Sequence, residues 1–126
     1  MNLSTIKGVR MEAIAACVPE NKVDNFKFAE EHFTDDFSAT LKALGVAERH
    51  VAVKEDTTAL TMAVKAAEKL FEDGSIKKED IGAVIMVTLS PDCLMPNNAT
   101  YAQYLLGLPK DVAAFDINHA CPGYVF

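Results

Sequence analysis

Two residue types in this chain could do nucleophilic or proton-transfer chemistry: cysteines at 17, 93 and 121, and histidines at 32, 50 and 119. They come closest together in the stretch Phe115-Asp116-Ile117-Asn118-His119-Ala120-Cys121-Pro122-Gly123-Tyr124. The apolar run before it predicts a strand ending near Asn118. Pro122 is tolerated in the first turn of a helix, where its missing N–H needs no partner. Cys121 is therefore predicted at a helix N-terminus, where unpaired N–H groups and the positive end of the dipole favour a thiolate. An ordinary thiol titrates near about 8.5, and lowering that by 1.5 units corresponds to about 2 kcal/mol in favour of the anion. Strand, sharp turn, nucleophile and helix is also how acyl-transfer folds expose a nucleophile. The same residues equally fit a buried structural cysteine. His119 lies two residues from Cys121 and invites a Cys–His dyad; the competing reading is a packed, hydrogen-bonded core histidine. Cys17 reads as core on an apolar strand, and Cys93 as a loop thiol between Pro91 and Pro96.

The elements that must position this segment follow from periodicity. Residues 9 to 18 read as a first strand closed by the turn Pro19-Glu20-Asn21. Residues 25 to 33 and 37 to 44 read as short helices, the second stopped by Gly45, and 49 to 53 as a short edge strand. Residues 57 to 73 are the clearest helix: Leu60, Ala63, Val64, Ala67, Leu70 and Phe71 share one face. Thr57 or Thr58 caps its start, and Gly74 sits where a left-handed residue ends it. Residues 81 to 88 are apolar on both faces, the pattern of a parallel strand covered on both sides. Asn97 or Asn98 caps a helix running to Leu106, and 112 to 118 form a last strand. Strand, helix, strand, helix, strand predicts a layered α/β fold.

Composition narrows the function. The chain has 126 residues, half of them hydrophobic, which suits one domain with a core and excludes wholesale disorder. Net charge is −6 and the twelve basic residues are dispersed, which argues against a nucleic-acid surface. No run of about 18 apolar residues suggests a membrane span. The start lacks the charged-then-apolar pattern of a signal peptide. Three widely spaced cysteines fit a reducing compartment better than a disulfide framework, so a cytoplasmic location is expected. Residues 19 to 36 carry six acids and read as a solvated surface, whereas Asp92 is the one charge between 81 and 109. So depleted a segment is expected in a core, in a subunit contact or around a substrate pocket.

Ala114, Phe115, Asp116, Ala120, Cys121, Gly123 and Tyr124 match the pattern Ala-Phe-Asp-x-x-x-Ala-Cys-x-Gly-Phe/Tyr. This resembles the nucleophile motif of the thiolase superfamily, most closely that of the β-ketoacyl-acyl-carrier-protein synthase III family. Val18-Pro19-Glu20, the box Gly45-Val46-Ala47-Glu48-Arg49-His50, Asp80-Ile81-Gly82, Pro96 and Leu105-Leu106-Gly107-Leu108 resemble further landmarks of that family in the same order.

The resemblance implies that residues 1 to 126 are the N-terminal half of a thiolase-like layered α-β-α-β-α fold, cut shortly after the nucleophile. Each half of that fold holds a five-stranded mixed sheet, and the second half, with the family's catalytic His and Asn, is absent from this chain. The implied chemistry is acyl transfer. Cys121 takes an acyl group from acyl-CoA or an acyl-acyl-carrier-protein, and a malonyl-acyl-carrier-protein then condenses with it in a decarboxylative Claisen reaction, as in fatty-acid biosynthesis. The Cys121 N–H is the first oxyanion donor, and no metal or redox cofactor is needed. Thr88, Leu94 and Met95 are implied as substrate-binding, the last two on a loop that crosses a homodimer interface into the partner's acyl pocket. Met95 equally fits plain interface packing. Trp is absent, and 39 to 44 offer only Lys42 where family members hold the adenine of CoA, which points to a specialised acyl donor. His119 and Pro122 also replace the small residues usual beside the nucleophile. A non-catalytic module that binds an acyl carrier or a partner protein, and a thiol-based redox sensor, are the competing readings.

Overall fold

The computed structural model describes residues 6–74 and 76–125. Two units carry the regular structure. In the first, β1 (Lys22–Asp24) pairs antiparallel with β2 (Glu48–His50), with Val23 opposite Arg49. Between them run α1 (Asn25–His32) and α2 (Ser38–Leu44). The Asp24 side chain caps α1 by accepting from the N–H groups of Phe26 and Lys27. Gly45, at φ +68°, ends α2 in the left-handed conformation that a side chain resists. The box from Gly45 to His50 closes this unit. Asn25 is buried, donating to Val46 O at 3.0 Å and accepting from the Arg49 guanidinium. Arg49 lies 4.3 Å from the centre of the Phe28 ring, and Lys22 pairs with Glu48 across the strands.

The second unit contains the core. α3 (Ala59–Glu72) begins at Thr58, whose hydroxyl accepts from Thr61 N–H while Thr61 accepts from Thr58 N–H. Gly74 follows it at φ +72°. β3 (Ala83–Val87) and β4 (Ala113–Ile117) form a parallel pair in the register Ala83–Ala113 to Val87–Ile117. The crossover between them is α4 (Asn98–Leu105), ended by Gly107 at φ +63°. Leu60 and Val64 of α3 pack on Ala102 and Leu106 at α4 and on Leu108 and Val112; Ala67, Phe71, Ile81 and Val84 line this cluster. Fully burying one such leucine is worth about 2 kcal/mol. Gln103 of α4 donates to Pro109 O at 2.7 Å and Val112 O at 3.2 Å, which ties the approach to β4 onto the helix.

Five expectations change. Residues 9 to 18 form no strand. The segment alternates in exposure as a strand would, yet no ladder pairs it, and extended chain becomes a strand only beside a partner. β1 is a strand that the pattern does not announce, its three residues drawn into pairing by the box at 45 to 50; the partner strand expected over 49 to 53 runs only through His50. The parallel pair is covered on one face rather than two: Val84 and Met86 are half-buried, while Ile85, Val87 and Phe115 are exposed. Two two-stranded sheets stand where a five-stranded one was implied. Finally, Cys121–Val125 is a 3₁₀ turn rather than the start of an α-helix.

Two features shape the surroundings of that last turn. The Asp116 carboxylate, on β4, accepts from Asn98 N–H at 2.9 Å and Ala99 N–H at 2.8 Å. The Asn97 side chain takes Thr100 N–H at 2.9 Å, so the first three residues of α4 all have partners for their otherwise orphan donors. Gly123 is buried against the end of β3: a Cβ there would lie 2.5 Å from Val87 Cγ1 and 3.0 Å from His119 Cβ. Replacing Asp116 by Ala should destabilise the chain by about 2 kcal/mol in denaturant titration, and Asp116→Asn by less, since one acceptor oxygen survives. The change Gly123→Ala should cost about 1–3 kcal/mol by overpacking. It should also alter the rate at which iodoacetamide alkylates Cys121, because the turn must lift off β3; an unchanged rate and unchanged stability would show that the turn does not rest there.

Candidate active site

The parallel pair sets the geometry. Chain leaving the C-terminal ends of adjacent parallel strands emerges on one edge of the sheet, where α/β folds place their chemistry. After β3 comes Thr88, whose N–H still bonds Ile117 O at 3.3 Å and so extends the ladder by one rung. After β4 come Asn118, His119 and Ala120, and then Cys121 opens the turn that Gly123 seats against Val87. Thr88 and the Cys121 turn are therefore brought to the same end of the sheet. The Thr88 hydroxyl accepts from Ser90 N–H at 3.0 Å and shares a contact with Ser90 Oγ at 3.3 Å, which makes it a turn former as placed.

Cys121 is exposed, which sets aside the buried structural reading. His119 is also exposed rather than packed in the core, and its N–H bonds Ile117 O at 2.9 Å. Cys17 is half-buried, not core, and lines a cavity of about 590 Å³ between the 17–21 segment and the start of α3. That cavity and two more, of about 470 and 370 Å³ around α1 and α2, are lined by residues other than Cys121. Leu94 and Met95 sit on the loop joining β3 to α4, 81% and 90% exposed. Cys93, on the same loop, donates its thiol to Pro96 O at 3.1 Å. Among the described residues no helix is long and apolar enough to cross a membrane.

Three residues that position the site are not evident from motif reading. Asp116 belongs to the matched motif, but its role as cap of α4 depends on a helix eighteen residues upstream. The available signal is a lone acid inside an apolar strand. Gly123 likewise matches the motif, and only packing shows why a side chain is refused there. Of Asn97 and Asn98, Asn97 is the cap of α4. Asn98 is fully buried at 0% exposure, and its Oδ1 accepts from Asp92 N–H at 3.2 Å. That bond fixes which amide atom is oxygen, since the backbone can only donate. Its Nδ2 has no partner among the described residues, a situation that costs roughly 1–3 kcal/mol.

No protein-family model matches the chain. In sequence it is 39% identical over 115 residues to the β-ketoacyl-[acyl-carrier-protein] synthase III of Campylobacter concisus, a match covering 90% of this chain and 34% of that relative. In structure it is similar to the 3-oxoacyl-[acyl-carrier-protein] synthase III of Aquifex aeolicus, with a TM-score of 0.79 and 30% identity over 94% of this chain and 37% of that one. The 3-oxoacyl-(acyl-carrier protein) synthase of Burkholderia xenovorans gives a TM-score of 0.76 and 35% identity over 88% and 32% of the two chains. The chain thus spans about a third of the length of the curated relatives it matches. Its sequence and its mixed α/β architecture make it homologous to the N-terminal part of a β-ketoacyl-[acyl-carrier-protein] synthase III, with the corresponding portion of a thiolase-like fold.

Proposed function

We propose that this chain is the nucleophile-bearing portion of an acyltransferase that performs a decarboxylative Claisen condensation. The observation that carries the reading is the exposed Cys121 opening a turn beyond the C-terminal end of a parallel strand, inside a segment that resembles the nucleophile motif of condensing enzymes. In this reading the Cys121 thiolate adds to the carbonyl of an acyl-CoA or acyl-acyl-carrier-protein. The tetrahedral intermediate expels the donor's thiol and leaves the acyl group as a thioester on Sγ. A malonyl-acyl-carrier-protein then loses carbon dioxide, and the electron pair of the broken bond becomes a carbanion. That carbanion attacks the acyl-enzyme carbonyl and displaces Cys121, which returns as thiolate. The Cys121 N–H donates to the oxyanion in each addition.

The other roles follow from position. Thr88 closes the sheet end beside the nucleophile turn, and Leu94 and Met95 offer apolar surface to an acyl chain, within one subunit or across a homodimer. The half-covered parallel pair and the exposed residues of the 81–109 segment support further protein packing on this unit, as a second half and a partner subunit would provide. The decarboxylating His and Asn belong to that second half. A cytoplasmic acyl-chain biosynthetic role fits the cysteine usage.

Incubation of the full-length protein with an acyl thioester, followed by peptide mass spectrometry, should place the adduct on Cys121. Cys121→Ser should lower acyl transfer by roughly 10³-fold or more with the fold retained. An adduct on Cys17 or Cys93 would refute the assignment. The 126-residue chain alone should not condense malonyl thioesters, because groups that act as a set lose nearly everything when part is missing. Product above the Cys121→Ala background would sink that expectation.

A further inference from the structure

Asn98 presents a contradiction if it serves stability alone. Among the described residues it is the one large side chain with no exposure at all, yet it buries an amide whose two donors find no acceptor among them. An apolar residue of similar volume would avoid that penalty. What the amide does provide is one acceptor, Oδ1, and that acceptor holds Asp92 N–H. Asp92 lies in the middle of the β3–α4 loop, just before Leu94 and Met95. The Asn98 backbone N–H is in turn held by Asp116 on β4, the strand that leads to Cys121.

We propose that Asn98 is a positioning residue that sets where the Leu94–Met95 loop stands relative to Cys121, and thereby sets which acyl chains the site accepts. The connection is continuous: the Asp116 carboxylate fixes the first turn of α4, Asn98 in that turn fixes the Asp92 amide, and the loop hangs from that amide. At its other end the loop starts at Thr88, which is hydrogen-bonded to the end of β4. Both anchors are thus referred to the same strand as the nucleophile. The two apolar side chains between them are almost wholly exposed, so their own packing does not hold the loop. Losing the Asn98 acceptor removes the side-chain hydrogen bond that joins the middle of the loop to α4. The consequence for acyl-chain choice rests on the acyltransferase reading above; the consequence for loop order does not.

The test uses the full-length protein with two substitutions, Asn98→Leu, which keeps the branched shape and removes the acceptor, and Asn98→Asp, which keeps the acceptor. Hydrogen exchange is followed over 89–97, and acylation of Cys121 is measured with acetyl-CoA and octanoyl-CoA as short and long donors. The leucine variant should exchange faster in this segment and shift the short-to-long ratio of kcat/KM by roughly fivefold, the factor expected for losing one ordinary hydrogen bond. The aspartate variant should stay close to wild type in both. If both variants keep wild-type exchange and ratio, or both lose them equally, Asn98 only fills space and the inference is wrong. Should the leucine variant not fold, the wild type decides: an Asp92 amide that exchanges as fast as its exposed neighbours is not held by Asn98. Absence of any adduct on wild-type Cys121 from the acyl-carrier-protein thioesters of the same two chains as well as from the CoA thioesters would instead overturn the acyltransferase reading, while the exchange data would still judge the loop.

Discussion

The site end of this molecule depends on one carboxylate. Asp116 points from β4 onto the first turn of α4 and accepts two backbone N–H groups that no helical carbonyl can reach. A charged acceptor at a helix N-terminus satisfies orphan donors and opposes the dipole at once. The geometric effect matters more here. Gln103 ties α4 to the chain just before β4, and the rest of the contact is apolar, through side chains such as Ala102 and Leu106 that attract without fixing a register. The two directional bonds lock the helix against the strand, and both the loop before α4 and the turn after β4 inherit their positions from that lock.

Gly123 completes the arrangement by absence. A side chain at that position would enter the volume of Val87, so the turn that begins at Cys121 can rest directly on the end of β3. Polar capping on one side and close backbone approach on the other leave the Cys121 segment little freedom to swing away. The Cys121 residue itself stays exposed. The site is therefore supported from below and open above.

The open side has a wider counterpart. Helices α3 and α4 cover one face of the β3–β4 pair, and the other face shows Ile85, Val87 and Phe115 to solvent. Parallel pairs are normally covered on both faces. The chain also spans about a third of the length of its curated relatives. These facts agree: the apolar periodicity of residues 81 to 88 specifies a buried strand, and the partner for its second face is not among the described residues.

Local physical chemistry was enough for α1 to α4. Thr58 before an apolar face, Gly45 and Gly74 after one, and Asn97 before α4 act through neighbours a few residues away, so their effect can be read along the chain. The continuous apolar runs around 81–88 and 112–118 likewise specify the parallel pair. Tertiary structure decided what depends on distant partners. Residues 9 to 18 have the alternation of a strand but no ladder, while Lys22–Asp24 becomes one because Glu48–His50 lies beside it. Asp116 caps a helix from another element, Asn98 holds a loop through a backbone amide, and Gly123 is required by a side chain thirty-six residues away. A hydrogen bond or a steric limit of that kind exists only once the chain has brought its two ends together, and no spacing in the sequence encodes it.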